Sequence, residues 1–389
     1  MLVQSRPVPD GPPLKHPMPW LSPYFELSRG SAHNVRPMEG LRGFAVFLVF
    51  LVHYATLVGD WLIDGAAALP LAEALHTVGN AGVDLFFVLS GYLIYGSLIS
   101  RRQPFLRFMA RRIERLYPAF TVVFVLYVAL SYLFPAESKI PSESGEALVY
   151  LLQNFLLLPG LFPIEPMITV AWSLSYELFY YLVLPLVIAG LGLRERSGRW
   201  RSALFVGTGA ALLVYCALAG GPVRLALFIA GMLLFEAVTA PRVPTPSALV
   251  GGLALALGLM STLFPWDGTV GAALDALSLC LGFFLLCLAC FRAPQAPLAR
   301  LFSWSPLRWL GNMSYSYYLI HGLALKAAFL AMSVLMPGAA FGSWFFWALM
   351  PVMFALTLLP SAALFLAVER PLSLAPGAPR PRDAVAPTR

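Results

Sequence analysis

Charge is the first thing this chain has little of. Only 12% of its 389 residues are Asp, Glu, Lys or Arg, about half of the roughly 25% that a soluble domain carries, which excludes an ordinary water-soluble globular enzyme. Cysteine is scarce as well. The four present, Cys216, Cys280, Cys287 and Cys290, all fall inside apolar runs. The Cys287 and Cys290 spacing has no histidine or second cysteine pair beside it, so no metal or redox site is expected and the four read as small packing residues. No short signal-type hydrophobic core precedes the first long apolar run, so no cleaved signal peptide is expected. Nor are there two halves with helices broken at corresponding places, as a secondary transporter would show.

What is present is apolar. Hydrophobic residues make up 59% of the chain and the mean hydropathy is +0.77. Runs long enough to cross a bilayer fall near residues 41–58, 80–98, 117–135, 172–192, 202–219, 222–239, 246–264, 271–291, 310–334 and 344–368. The expected fold is therefore all-α, a polytopic membrane helix bundle of about ten transmembrane helices. An eleventh run, 147–158, is too short to span and reads as re-entrant or interfacial.

The charges agree with that count, because arginine is retained on the cytoplasmic side of short loops. With the N-terminus inside, one set of connections carries Arg101, Arg102, Arg107, Arg111, Arg112 and Arg115, then Arg194, Arg196, Arg199 and Arg201, then Arg242, then Arg292, Arg300 and Arg308. The opposite set carries Asp60, Asp64, Glu73, Glu137, Glu143, Glu146, Glu165 and Asp267, with Lys139 and Arg224 as the few cations. The net charge of +7 is thus a topology signal and not a nucleic-acid surface. Residues 1–35 and 372–389 read as cytoplasmic tails rich in proline, the second also in arginine.

Ionisable side chains inside the spans each need a partner, a cavity or water. His53 lies in the first span, eleven residues after Arg42 at its polar edge; in a helix the two share one face, about 20° apart and roughly 16 Å along the axis. Asp84 in the second span and Glu177 in the fourth fall at a similar depth, and His321 lies near the middle of the ninth. Blander roles exist for several. His53 could be a neutral ring bonded across a helix interface, Asp84 a helix N-cap after Gly82, and Arg111, Arg112 and Arg115 topology determinants that meet anionic lipid headgroups.

Six segments in order, RPMEGLRGFAVFLVFLVH, GNAGVDLFFVLSGYLI, FLRFMARRIERLYP, AWSLSYELFYYLVLP, LGNMSYSYYLIHG and VERP, resemble the membrane acyltransferase-3 family over roughly residues 36–371. The resemblance implies an integral enzyme of a bacterial-type inner membrane that O-acylates a glycan, a glycolipid or a small hydroxyl-bearing acceptor. Its acyl group, commonly acetyl, would come from acyl-CoA, with no bound cofactor. The family's arginine, ten residues and histidine fall on Arg42 and His53, the latter its catalytic residue. Its Trp-Ser-Leu-x-x-Glu element falls on Trp172, Ser173, Leu174 and Glu177, and its Arg-x-x-Arg element on Arg112 and Arg115, with Arg111 adjacent. Ser90, Tyr176 and His321 are further polar positions of the matching segments. One departure is visible: Met38 and Glu39 stand where the family usually has Leu-Asp, so the acid is kept. Some members carry an added periplasmic esterase-like domain; none is recognised here, and the chain is expected to act alone or with a separate partner.

The chemistry suits these residues. Attack of an alcohol on a thioester needs a base that titrates near neutrality, which histidine provides. The expectation is His53 as general base with Glu177 or Asp84 orienting its ring, and a covalent acyl-imidazole as the variant. Arg42, Arg112 and Arg115 would hold the phosphates of coenzyme A on the cytosolic side. The connection 136–170, the longest outside the spans, is expected to cover the acceptor. A transporter or a non-catalytic membrane protein is the alternative.

Overall fold

The computed structural model describes residues 20–27, 36–63, 67–264 and 266–374. Among these the chain is helical throughout, with two isolated bridges and no strand. A short helix α1 (Ser22–Phe25) precedes α2 (Arg36–Val58), then α3 (Ala68–Gly79), α4 (Ala81–Ser100), α5 (Phe105–Leu133), α6 (Ser144–Phe155), α7 (Trp172–Gly190), α8 (Gly198–Ala219), α9 (Leu225–Thr239), α10 (Ala248–Ser261) and α11 (Gly268–Arg292). Two short helices, α12 (Pro297–Phe302) and α13 (Ser305–Asn312), lead into α14 (Ser314–Leu335) and α15 (Trp344–Leu364), which continues as a π-helical turn through Leu374.

Among the described residues, eight helical stretches are long and apolar enough to cross a membrane, and each coincides with an expected span. The sixth and seventh expected spans are instead shorter apolar helices, α9 with 15 residues and α10 with 14, about 22 Å each against a hydrocarbon core of about 30 Å. The turn before α9 explains its late start: Gly220 and Gly221 adopt φ of +75° and +131°, and Pro222 follows. Helix α6 has only 12 residues and is too short to span. Helix α5 begins twelve residues earlier than expected, at Phe105 and not 117, so Arg107, Arg111, Arg112 and Arg115 sit on a helix and not in a connection.

Close backbone contacts set the geometry of the core. A Cβ on Gly43 would lie 2.0 Å from the Leu307 carbonyl oxygen, and one on Gly311 would lie 1.7 Å from that of Glu39, so α2 and α13 cross backbone against backbone. Arg308 of α13 is buried and donates to the Glu39 carboxylate at 2.8 Å; this is why an acid is kept at position 39. Glu26 also binds Arg308, and Phe25 stacks on Phe365 at 5.9 Å. A described piece of the expected N-terminal tail is therefore docked on the bundle. The rest of that tail, and the C-terminal tail beyond Leu374, lie outside the described residues. All four cysteines are buried and unpaired by disulfide.

Candidate active site

Two cavities follow one another along the bundle. The first, about 330 Å³, is lined by α2, α4, α5, α7 and α14. Arg42, Arg112, Arg115 and Glu177 face it, with Ser90, Ser97 and Ser173 in the same walls. Arg42 donates to the Ser314 hydroxyl at 2.8 and 3.1 Å. Arg112 donates to Ser97 at 3.3 Å and lies 5.1 Å over the rings of Phe108 and Tyr181. Arg115 sits 3.8 Å from buried Glu369, whose carboxylate also accepts from the Ser316 amide and hydroxyl at 3.0 and 2.6 Å. Glu177 accepts from the Tyr181 hydroxyl. Three guanidinium groups against one carboxylate make this lining cationic, and planar guanidinium forks match phosphate oxygens.

The second cavity, about 230 Å³, is lined by His53 and Thr56 of α2, Tyr127 of α5, Leu319, Gly322 and Lys326 of α14, and Glu137, Lys139, Met167, Thr169 and Val170 of the connection between α5 and α7. The expected covering segment does border this cavity. Asn154 pins it, accepting from the Met167 amide at 2.7 Å and donating to the Tyr150 and Glu165 carbonyls at 3.1 and 3.3 Å. Glu137 pairs with Lys326, and Lys139 with Glu165 at 3.1 Å. Along α2, α5 and α14 alike, residues of the cationic cavity come first and residues of the histidine cavity follow. The two are therefore stacked, with Arg42 and His53 roughly 16 Å apart by helical rise.

His53 does not meet the carboxylates expected to orient it. Glu177 lines the other cavity. Asp84 lines neither: it is buried 3.1 Å from Arg224, whose guanidinium lies 5.1 Å over the Trp172 ring. Nor does Asp84 cap a helix, since the N-cap of α4 is Asn80 and α3 runs into α4 through it with helical dihedrals. The ring packed edge-on against His53 is that of His321, with centroids 5.0 Å apart at an interplanar angle of 62°. His321 is fully buried, and its Nδ1 lies 2.9 and 3.0 Å from the carbonyl oxygens of Tyr317 and Tyr318. Carbonyls only accept, so the proton is on Nδ1. Nε2 is left with its lone pair, and no hydrogen-bond partner reaches it.

Trp172 and Tyr176 pack edge-on against Phe87 at 6.2 and 5.7 Å and do not line the cavities. Arg111 is exposed and lines neither. Conversely, Ser97, Tyr181, Ser314, Tyr318 and Glu369 belong to the site without having been singled out. Ser314 and Tyr318 lie in the same polar block as His321, and Glu369 in the short VERP segment; their segments were legible, their roles were not.

Fold and site define a class: a multi-pass helical membrane protein whose interior polar groups are gathered into two stacked cavities. Comparison with known proteins carries this further. The family model for the acyltransferase-3 acyltransferase domain matches residues 37–366, and the chain belongs to that family. It is 26% identical to the peptidoglycan O-acetyltransferase OatA of Listeria monocytogenes over 333 residues, 76% of this chain and 50% of that protein. Over 183 residues it is 33% identical to the O-acetyltransferase OatA of Staphylococcus aureus, 43% of this chain and 27% of that one. The chain spans about half the length, or less, of these relatives. No solved structure matches.

Proposed function

We propose that this protein is a membrane O-acyltransferase that moves an acyl group, acetyl in the first instance, from acyl-CoA to a hydroxyl of a glycan or similar acceptor. The observation that carries this reading is the stacking of a cationic cavity and a histidine cavity on the same three helices. The phosphates of coenzyme A bind at Arg42, Arg112 and Arg115 on the cytoplasmic side, and the pantetheine arm covers the roughly 16 Å to His53.

His53 takes the proton of the acceptor hydroxyl as its oxygen attacks the thioester carbonyl. The carbon–sulfur bond breaks, and the coenzyme A thiolate leaves and takes the proton that His53 accepted, which restores the base. His321 takes the orienting part that the carboxylates do not: its Nε2 lone pair has no partner in this structure, and a turn of the His53 ring, whose centroid lies 5.0 Å from that of His321, brings an N–H to it and leaves the other His53 nitrogen unprotonated toward the cavity. The acceptor enters under the connection 136–170. Because the Listeria relative is a peptidoglycan O-acetyltransferase, a cell-wall amino sugar is the first acceptor to test.

The test is mass spectrometry of surface glycans from cells carrying the native chain or His53→Ala. The acylated glycan should disappear in the variant while the protein remains in the membrane. Unchanged acylation with His53→Ala would overturn the reading.

A further inference from the structure

A hydrogen-bonded layer joins the wall of one cavity to the wall of the other. Tyr318 and Ser173 form part of the inner cavity wall, and Val170 part of the outer. The Tyr318 hydroxyl lies 3.0 Å from the Val170 carbonyl oxygen and 2.7 Å from the Ser173 hydroxyl, and Ser173 itself lies 3.1 Å from the same carbonyl. Two hydroxyl protons thus serve three short contacts, and the Val170 oxygen is within reach of both donors. All three residues are buried. Tyr318 packs edge-on against Phe86 at 6.0 Å, and its ring lies 6.3 Å from that of His321. One turn further along α14, Gly322 borders the outer cavity and faces open space, where a Cβ would meet nothing within 4 Å.

We propose that Tyr318 is a positioning residue that gates the passage between the cavities, and that Ser173 is the latch that keeps the layer satisfied when the gate opens. The inference rests on the reading of the inner cavity as the donor site and His53 as the base. An acyl thioester in the inner cavity meets the layer before it meets His53. For it to pass, the Tyr318 hydroxyl must leave the Val170 carbonyl, which then keeps only the Trp172 amide of its present partners unless Ser173 replaces the phenol, and a buried lone pair that loses its donor is costly. Ser173 removes that cost, because its hydroxyl is already in range and keeps the carbonyl bonded while the phenol ring is aside. The Tyr318 backbone carbonyl also holds the His321 proton on Nδ1, so the gate and the group that orients His53 are anchored on one residue. Closed, the layer keeps the thioester from His53 and from the water of the outer cavity. Open, it delivers the acyl carbon to the base.

The two hydroxyls therefore act in opposite senses. Tyr318→Phe deletes the closing bond while Ser173 still serves Val170, so the open state gains. Ser173→Ala deletes the bond that serves the open state, so the closed state gains. The experiment uses the full chain in liposomes with acetyl-CoA and no acceptor, and follows release of the coenzyme A thiol as water takes the acyl group. Tyr318→Phe should raise this release several-fold, and Ser173→Ala should lower it several-fold at unchanged KM. Loss in both variants, or no change in either, would sink the gate and leave a merely structural pair.

A second measurement needs no donor. Thr169 lines the outer cavity and the native cysteines are buried, so Thr169→Cys reports access by a charged methanethiosulfonate. From the inner-cavity side, labelling should be absent behind the native gate and appear with Tyr318→Ala. Labelling from the outer side should persist in both and reports an intact fold. No inner-side labelling in Tyr318→Ala overturns the gate. If labelling follows the expected pattern but wild type never releases the thiol, the gate stands and the donor assignment falls.

Discussion

The two cavities differ in what holds their polar groups. In the inner one every guanidinium has a partner, Ser314 for Arg42, Ser97 for Arg112 and Glu369 for Arg115, and aromatic faces flank Arg112. Such a lining is set in advance for an anion and has little to reorganise. The outer cavity is lined by one imidazole, His53, with the buried ring of His321 against it and ion pairs made by other lining residues. The guanidinium groups of the inner cavity are held by fixed partners, whereas His53 of the outer one has a buried imidazole for a neighbour. Under the proposed function the contrast is physically sensible, because a base must change its proton count during the reaction and a phosphate cradle must not.

Three substitutions would break or sharpen that contrast. The largest effect after loss of His53 itself is expected at His321. His321→Leu removes the acceptor that orients His53 and should lower kcat by about 10²-fold with little change in the KM for acetyl-CoA, the pattern of a group used in the transition state and not in donor binding. An equal rise in KM would place His321 in the donor site instead. Next, Arg112→Glu should raise the apparent KM for acetyl-CoA by about tenfold or more, equivalent to about 1.4 kcal/mol, at nearly constant kcat. A normal KM would remove the inner cavity from donor binding. Arg115 is a poorer probe, because its substitution also strips a partner from buried Glu369.

The smallest effect on catalysis is expected at Asp84. Asp84→Asn breaks a buried pair with Arg224, whose side chain is about one third exposed (32%), so the loss should fall below the 3–5 kcal/mol typical of a fully buried pair, at about 1–3 kcal/mol. It should appear as a lower melting temperature in detergent with both kinetic constants held. A large fall in kcat at preserved stability would return Asp84 to the reaction.

Much of the molecule was legible in the chain. Span length and position follow from local hydropathy, which is why the eight long helices among the described residues fall where apolar runs do. The misses have local and non-local causes. Helix α5 was expected to begin late because its first turns are arginine-rich, yet no residue between Pro104, its N-cap, and Pro118 breaks a helix. Asp84 looked like a partner for His53 because both lie at one depth, but depth says nothing of azimuth. On a helix that is apolar all round, the face turned to a given neighbour is not written in the pattern.

By itself, then, the sequence determined a multi-pass helical membrane protein, its main spans, and the motif residues Arg42, His53, Arg112, Arg115, Ser173 and Glu177. The spans follow from bilayer thickness, and the motif residues from the resemblance of six ordered segments to the acyltransferase-3 family; both are one-dimensional quantities. Only the tertiary structure decided that His53 faces His321 and not a carboxylate, that Asp84 belongs to Arg224, and that the Tyr318 hydroxyl binds between the linings of the two cavities. Those facts depend on the rotation and crossing of helices far apart in the chain, set by backbone contacts such as Gly43 against Leu307.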